Sequence, residues 1–125
     1  MVQSITIISG SALSILWGIA HIFPSRSVVS GFGTLSPDNR RIILMEWVSE
    51  GLMLIFMGVL PLLMLYLTHD NDPARLIVYR ACPAMLLIMA FWTVITGSRT
   101  SIIPIKICPA IKSVIAVSFL TGSYY

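Results

Sequence analysis

The sequence predicts an all-α fold: an integral membrane four-helix bundle. Three observations carry that reading. The chain of 125 residues is 57% hydrophobic and only 10% charged, with a mean hydropathy of +0.92. A water-soluble domain carries about 25% charged residues to keep its surface wet. Four apolar stretches each reach the roughly 20 residues that cross a hydrocarbon core. Lipid offers no partner to free backbone groups, so such stretches must satisfy their own hydrogen bonds as helices. The expected unit is one transmembrane domain over residues 1–125, with no separate soluble catalytic domain inside it.

The first helix is expected over roughly residues 3–23, ended by Pro24. Met1-Val2-Gln3-Ser4 lacks the basic n-region of a secretory signal, so this run is read as a retained helix. The second helix is expected over roughly 37–68. Ser36-Pro37-Asp38 opens it with a cap, a first-turn proline and a first-turn acid. At about 32 residues it measures roughly 48 Å, longer than a hydrocarbon core of about 30 Å. Its first turns, with Arg40, Arg41 and Glu46, are therefore expected in the interface or in water, and Pro61 is expected to kink it. The third helix, roughly 73–96, starts at Asp72-Pro73 by the same logic and stops before Gly97. The fourth covers roughly 103–121. Arg80-Ala81-Cys82-Pro83-Ala84 echoes Lys106-Ile107-Cys108-Pro109-Ala110, through either duplication or chance in apolar sequence.

The eight Lys and Arg residues set the topology. Arg26, Arg40, Arg41, Arg99 and Lys106 lie on or beside the first and third connections, whereas the second holds Asp70 and Asp72 against Arg75. The positive-inside rule puts the first and third connections in the cytoplasm and both termini outside, with Tyr124 and Tyr125 as interfacial anchors. Arg80 is expected to snorkel toward Asp70 and Asp72. No basic run or basic–aromatic platform points to nucleic acid. The expected surroundings are a lipid bilayer and either a membrane-protein partner or a second copy of the chain.

Ionisable residues within a membrane are costly and mark functional sites by default. His21, Glu46, Glu50, Lys106, Cys108 and Lys112 all fall in the half of the helices near the basic connections. Glu46 and Glu50, four apart, share a helix face that Met53 and Met57 continue. Ser11, Ser14, Gly18 and His21 form a stripe of small and polar residues that permits close helix approach. The candidate ligand or proton site is therefore His21, Glu46, Glu50, Lys112 and Cys108. The plain alternatives are that His21 caps its helix and that Glu46 pairs with Arg40 or Arg41. Counting back about 18 residues from Tyr124 puts Lys112 roughly 8 Å below the basic-side interface, where Glu50 is the one carboxylate at its depth. A buried Glu50–Lys112 pair follows.

No metal is expected, because the paired Glu-x-x-His motifs of di-iron bundles are missing and His69 lies at the far end of its helix. The sequence names no cofactor. Cys82 and Cys108 start from opposite faces and should differ in depth by roughly 10 Å, too far for a disulfide. In the first connection, Val28, Val29 and Phe32 are expected along the membrane surface, with Gly31 and Gly33 freeing the backbone around Phe32. That segment is either an ordered connector or a lid over the polar mouth, and Phe32, Arg40 and Arg41 are its candidate residues. It lacks the lysine and Ser/Thr of a phosphate loop.

His21-Ile22-Phe23-Pro24, the run 27–33, the run 38–47, Glu50-Gly51 and Lys106-Ile107-Cys108-Pro109 resemble small four-span bacterial membrane proteins that have no assigned activity. The likeness covers nearly the whole chain and implies a bacterial inner membrane. In size and span number the chain is also similar to DoxX-like proteins, some of which are quinone-linked redox subunits. These readings leave three functions open. One is a bundle binding a small lipophilic or quinone-like ligand near the cytoplasmic face. Another is a non-catalytic accessory or assembly subunit. The third is a small proton or solute transporter, although the broken-helix repeats of that class are missing.

Overall fold

The computed structural model describes all 125 residues. It contains no strand. The elements are α1 Val2–Ile22, α2 Ser25–Ser30, α3 Pro37–Leu67, α4 Pro73–Thr96, a 3-10 turn Gly97–Arg99 and α5 Ile103–Gly122. Each of α1, α3, α4 (with its 3-10 extension) and α5 is long and apolar enough to cross a membrane. The chain is an all-α, multi-pass membrane protein. The short α2 lies within the first connection, where the sequence suggested only an interfacial segment.

Local chemistry sets the helix starts. The Ser36 side chain accepts from Asn39 N–H at 3.2 Å, and Pro37 occupies the first turn of α3, where its missing N–H costs nothing. Asp72 accepts from Ala74 N–H at 2.8 Å ahead of Pro73. With 31 residues, α3 is roughly 46 Å long, so it outreaches the membrane. Its exposed first turns carry Arg40, Arg41 and Glu46.

The four long helices form a ring in which α1 contacts α3 and α5, and α4 contacts α3 and α5. Lipid is as apolar as leucine, so close packing rather than exclusion of water must hold helices together. Small residues supply it between α1 and α3. A Cβ placed on Gly18 would lie 2.7 Å from the Gly51 carbonyl, and one on Gly58 would lie 2.7 Å from the Ser11 carbonyl. The Ser14 hydroxyl, fully buried, donates to the Leu54 carbonyl at 2.7 Å. Ile7, Leu54, Leu86, Ile115 and Phe119 fill the middle of the bundle.

The end opposite the basic connections is held by Arg75. Its guanidinium donates to the Leu65 carbonyl at 2.8 Å, the Thr68 hydroxyl at 3.1 Å and Asp70, and it contacts Gln3 at 3.4 Å. Gln3 in turn donates to the Gly122 carbonyl at 3.1 Å. One planar fork thus ties the starts of α1 and α4 to the ends of α3 and α5, a task suited to arginine rather than lysine. The expected pairing of Arg80 with Asp70 and Asp72 is not formed. Arg75 reaches Asp70 directly, Asp72 is occupied as a cap, and Arg80 instead sits 5.8 Å over the Tyr124 ring.

Replacing Gly18 by alanine forces the α1–α3 crossing apart, because the obstructing atom is a backbone carbonyl that cannot rotate away. The expected cost is about 1–3 kcal/mol, read as a lower melting temperature in detergent. An unchanged melting temperature would show that the two helices are not in contact at Gly18.

Candidate functional site

The close α1–α3 crossing brings His21 onto α3. The His21 ring stacks on Trp47 with centroids 4.2 Å apart and planes 12° from parallel. The Trp47 indole N–H donates to the His21 carbonyl at 2.7 Å, so the same tryptophan fixes both the ring and the end of α1. One turn inward from Trp47, Glu50 points between the helices. Its Oε1 accepts from the Lys112 ammonium of α5, and its Oε2 lies 3.7 Å from His21 Nε2. Lys112 also donates to the Thr93 hydroxyl of α4 at 3.1 Å. Four helices therefore meet in one polar cluster: His21, Glu50, Thr93 and Lys112.

Burial divides these groups by role. The Lys112 side chain is 1% exposed and directs two of its three donors to Glu50 and Thr93. Glu50 is 33% exposed, so its second oxygen remains open. His21 is 10% exposed, and its Nε2 is buried without a hydrogen-bond partner. Leaving a buried polar atom unpaired costs roughly 1–3 kcal/mol. An unpaired nitrogen beside a half-open carboxylate marks a place for a further polar group.

That place opens into a cavity of ≈ 580 Å³ between the helices. All three tryptophans of the chain, Trp17, Trp47 and Trp92, line it. His21, Glu50 and Thr93 supply its polar wall. Pro24 and Val28 bound it on the side of the first connection, and Ile102, Pro104 and Ile105 on the side of the third. Cys108 also lines the cavity. Its sulfur accepts from the Trp17 indole at 3.4 Å and so orients that ring in the wall.

The remaining sequence candidates lie elsewhere. Glu46 is exposed and forms no ion pair; neither Arg40 nor Arg41 reaches it, and Arg41 sits 3.7 Å from Asp38 instead. Phe32 is 55% exposed and is not among the residues that line the cavity, which Pro24 and Val28 bound on that side. Gly31 is helical at φ −67, whereas Gly33 has φ +77, so the backbone freedom is needed at Gly33. Met57 is buried along the Glu50 face, but Met53 is exposed. Cys82 and Cys108 are both free and buried. No three His, Cys, Asp or Glu side chains converge on a common point. Sequence reasoning missed Thr93, Trp17, Trp47 and Trp92. Their one signal was that each falls on the basic half of its helix, at the depth of His21 or Glu50.

Removing one member of the Glu50–Lys112 pair leaves the other as an uncompensated charge. Glu50→Gln and Lys112→Met are each expected to cost about 3 kcal/mol, the low end for a buried pair because Glu50 is partly open. The double variant should regain part of that loss in thermal melts. Strictly additive losses would mean that the two side chains do not interact.

No family model, no curated protein and no solved structure matches the chain, so the site is read from its own geometry.

Proposed function

We propose that this membrane protein binds a small lipophilic ring molecule, quinone-like in size and shape, in the cavity between its helices. The observation that carries the reading is the unpaired His21 Nε2 beside the open Glu50 oxygen, at the polar wall of a tryptophan-lined cavity. A volume of ≈ 580 Å³ lies within the range of small-molecule sites, which are mostly apolar with a few placed polar groups. Flat indole faces favour a flat ring. The polar wall then fixes the orientation of its substituent.

The site lies at the end carrying Arg26, Arg40, Arg41, Arg99 and Lys106, which supports placing it near the cytoplasmic face with both termini on the other side. The likeness to four-span bacterial proteins supports the bacterial inner membrane. Fusion of a reporter that is inactive outside the cytoplasm to Tyr125 should stay dark. A bright fusion would reverse the orientation.

Protein purified in mild detergent is expected to carry a lipophilic aromatic molecule that solvent extraction and mass spectrometry detect. Ala20 lines the cavity, and Ala20→Phe fills it, so that variant should carry far less while melting like the wild type. Equal content in the two proteins would contradict the cavity as the binding site. A stoichiometric membrane-protein partner with no lipophile would favour the accessory-subunit role instead.

A further inference from the structure

The polar wall selects among lipophilic rings by hydrogen-bond type. We propose that the ligand presents a hydroxyl group to His21 and Glu50, so that the site takes an aromatic alcohol, such as a phenol or the reduced form of a quinone, over the corresponding ketone, quinone or ether. The inference rests on the reading of the cavity as a ligand site and names the chemistry that fits it.

His21 Nε2 and Glu50 Oε2 are 3.7 Å apart, too far for a direct hydrogen bond and close enough to share a third atom. An oxygen about 2.8 Å from each fits between them, with an angle of roughly 80–85° at that oxygen. Glu50 forms an ion pair with the Lys112 ammonium through its other oxygen, and a carboxylate oxygen such as Oε2 only accepts. The bridging atom must therefore donate a proton to Glu50. A hydroxyl does this and still has lone pairs for a His21 N–H. If the His21 proton resides on the other ring nitrogen, Nε2 also accepts; a hydroxyl then donates to one of the two acceptors, whereas a ketone, quinone or ether donates to neither.

Other polar groups nearby cannot relax that requirement. The Lys112 ammonium has a third N–H, but it is enclosed and does not line the cavity. The Thr93 hydroxyl accepts from Lys112 and donates to the Met89 carbonyl at 2.8 Å, so it has no proton to give a carbonyl ligand. The Trp47 N–H is used on the His21 carbonyl and the Trp17 N–H on Cys108. A quinone oxygen placed between His21 and Glu50 would set its lone pairs against a carboxylate. An ether places a methyl group there and leaves the carboxylate unpaired. Three tryptophan walls accept all of these rings equally, so the hydroxyl decides among them.

Calorimetry on the purified protein in detergent, with ligand partition into empty micelles subtracted, separates these cases. The probes are 2-naphthol, 2-methoxynaphthalene and 1,4-naphthoquinone, which share one ring system. A hydrogen bond to a charged group predicts that 2-naphthol binds roughly tenfold to a hundredfold more tightly than the other two. The preference should vanish in the Glu50→Gln/Lys112→Met double variant and in His21→Phe, which keeps a ring stacked on Trp47. Equal affinity of the three probes, or tightest binding of the quinone, would overturn the hydroxyl requirement while leaving the cavity a lipophile site. Binding of none, in wild type and in Ala20→Phe alike, would overturn both.

Discussion

Lys112 is the constraint from which the site is built. An ammonium group enclosed in a bundle that spans a membrane needs a counter-charge and further acceptors at its own depth. Glu50 on α3 and Thr93 on α4 meet that need, so three helices are fixed in mutual register by one side chain of α5. The register then determines what stands beside Glu50. The stripe Ser11, Ser14 and Gly18 brings α1 onto α3 closely enough to stack His21 on Trp47. With Glu50 committed to Lys112 by one oxygen, the other turns to His21 across 3.7 Å. The polar wall of the cavity is thus a consequence of satisfying a buried cation.

The two ends of the bundle use polar side chains differently. At the end holding Arg75, the guanidinium is spent on protein acceptors, including two main-chain carbonyls of α3 and its following residue. Such a fork is a clasp, although the Tyr79 hydroxyl beside it is buried without a partner. At the other end, Thr93 is spent and Lys112 is enclosed, while His21 Nε2 and Glu50 Oε2 retain capacity at the cavity. That contrast, together with the aromatic cavity on the basic side, supports the proposed ligand site there. The smaller cavity of ≈ 390 Å³ near Arg75 is lined by Tyr79, Tyr124 and Tyr125, and its two carboxylates are engaged, Asp70 by Arg75 and Asp72 as a helix cap.

The all-α membrane bundle is legible in the sequence because hydropathy and backbone satisfaction leave few alternatives. Ser36-Pro37 and Asp72-Pro73 mark helix starts through local capping chemistry that no distant contact can override. Glu50 and Lys112 could be matched by depth alone, since rise per residue converts sequence position into height within a bilayer. Depth does not give azimuth, and the missed residues follow from that. Trp92 reads equally well as lipid-facing or cavity-lining until α4 is rotated into place. Arg75 and Arg80, five residues apart, both looked able to reach Asp70, but only Arg75 lies on the buried face. Glu46 shares a face with Glu50 yet stands one turn farther out, among exposed residues. Phe32 stands out in the sequence by its flanking glycines, yet it is exposed, and Pro24 and Val28 bound the cavity on that side.

Lys112 and Glu50 touch inside the membrane-spanning bundle, which leaves one carboxylate oxygen for His21. Solid-state NMR in lipid bilayers measures this directly, through the dipolar coupling between a nitrogen-labelled Lys112 Nζ and a carbon-labelled Glu50 carboxyl. The strong coupling of a direct ion pair is expected, and it should be abolished in Lys112→Met. A wild-type protein with no coupling between these two atoms would contradict the pairing.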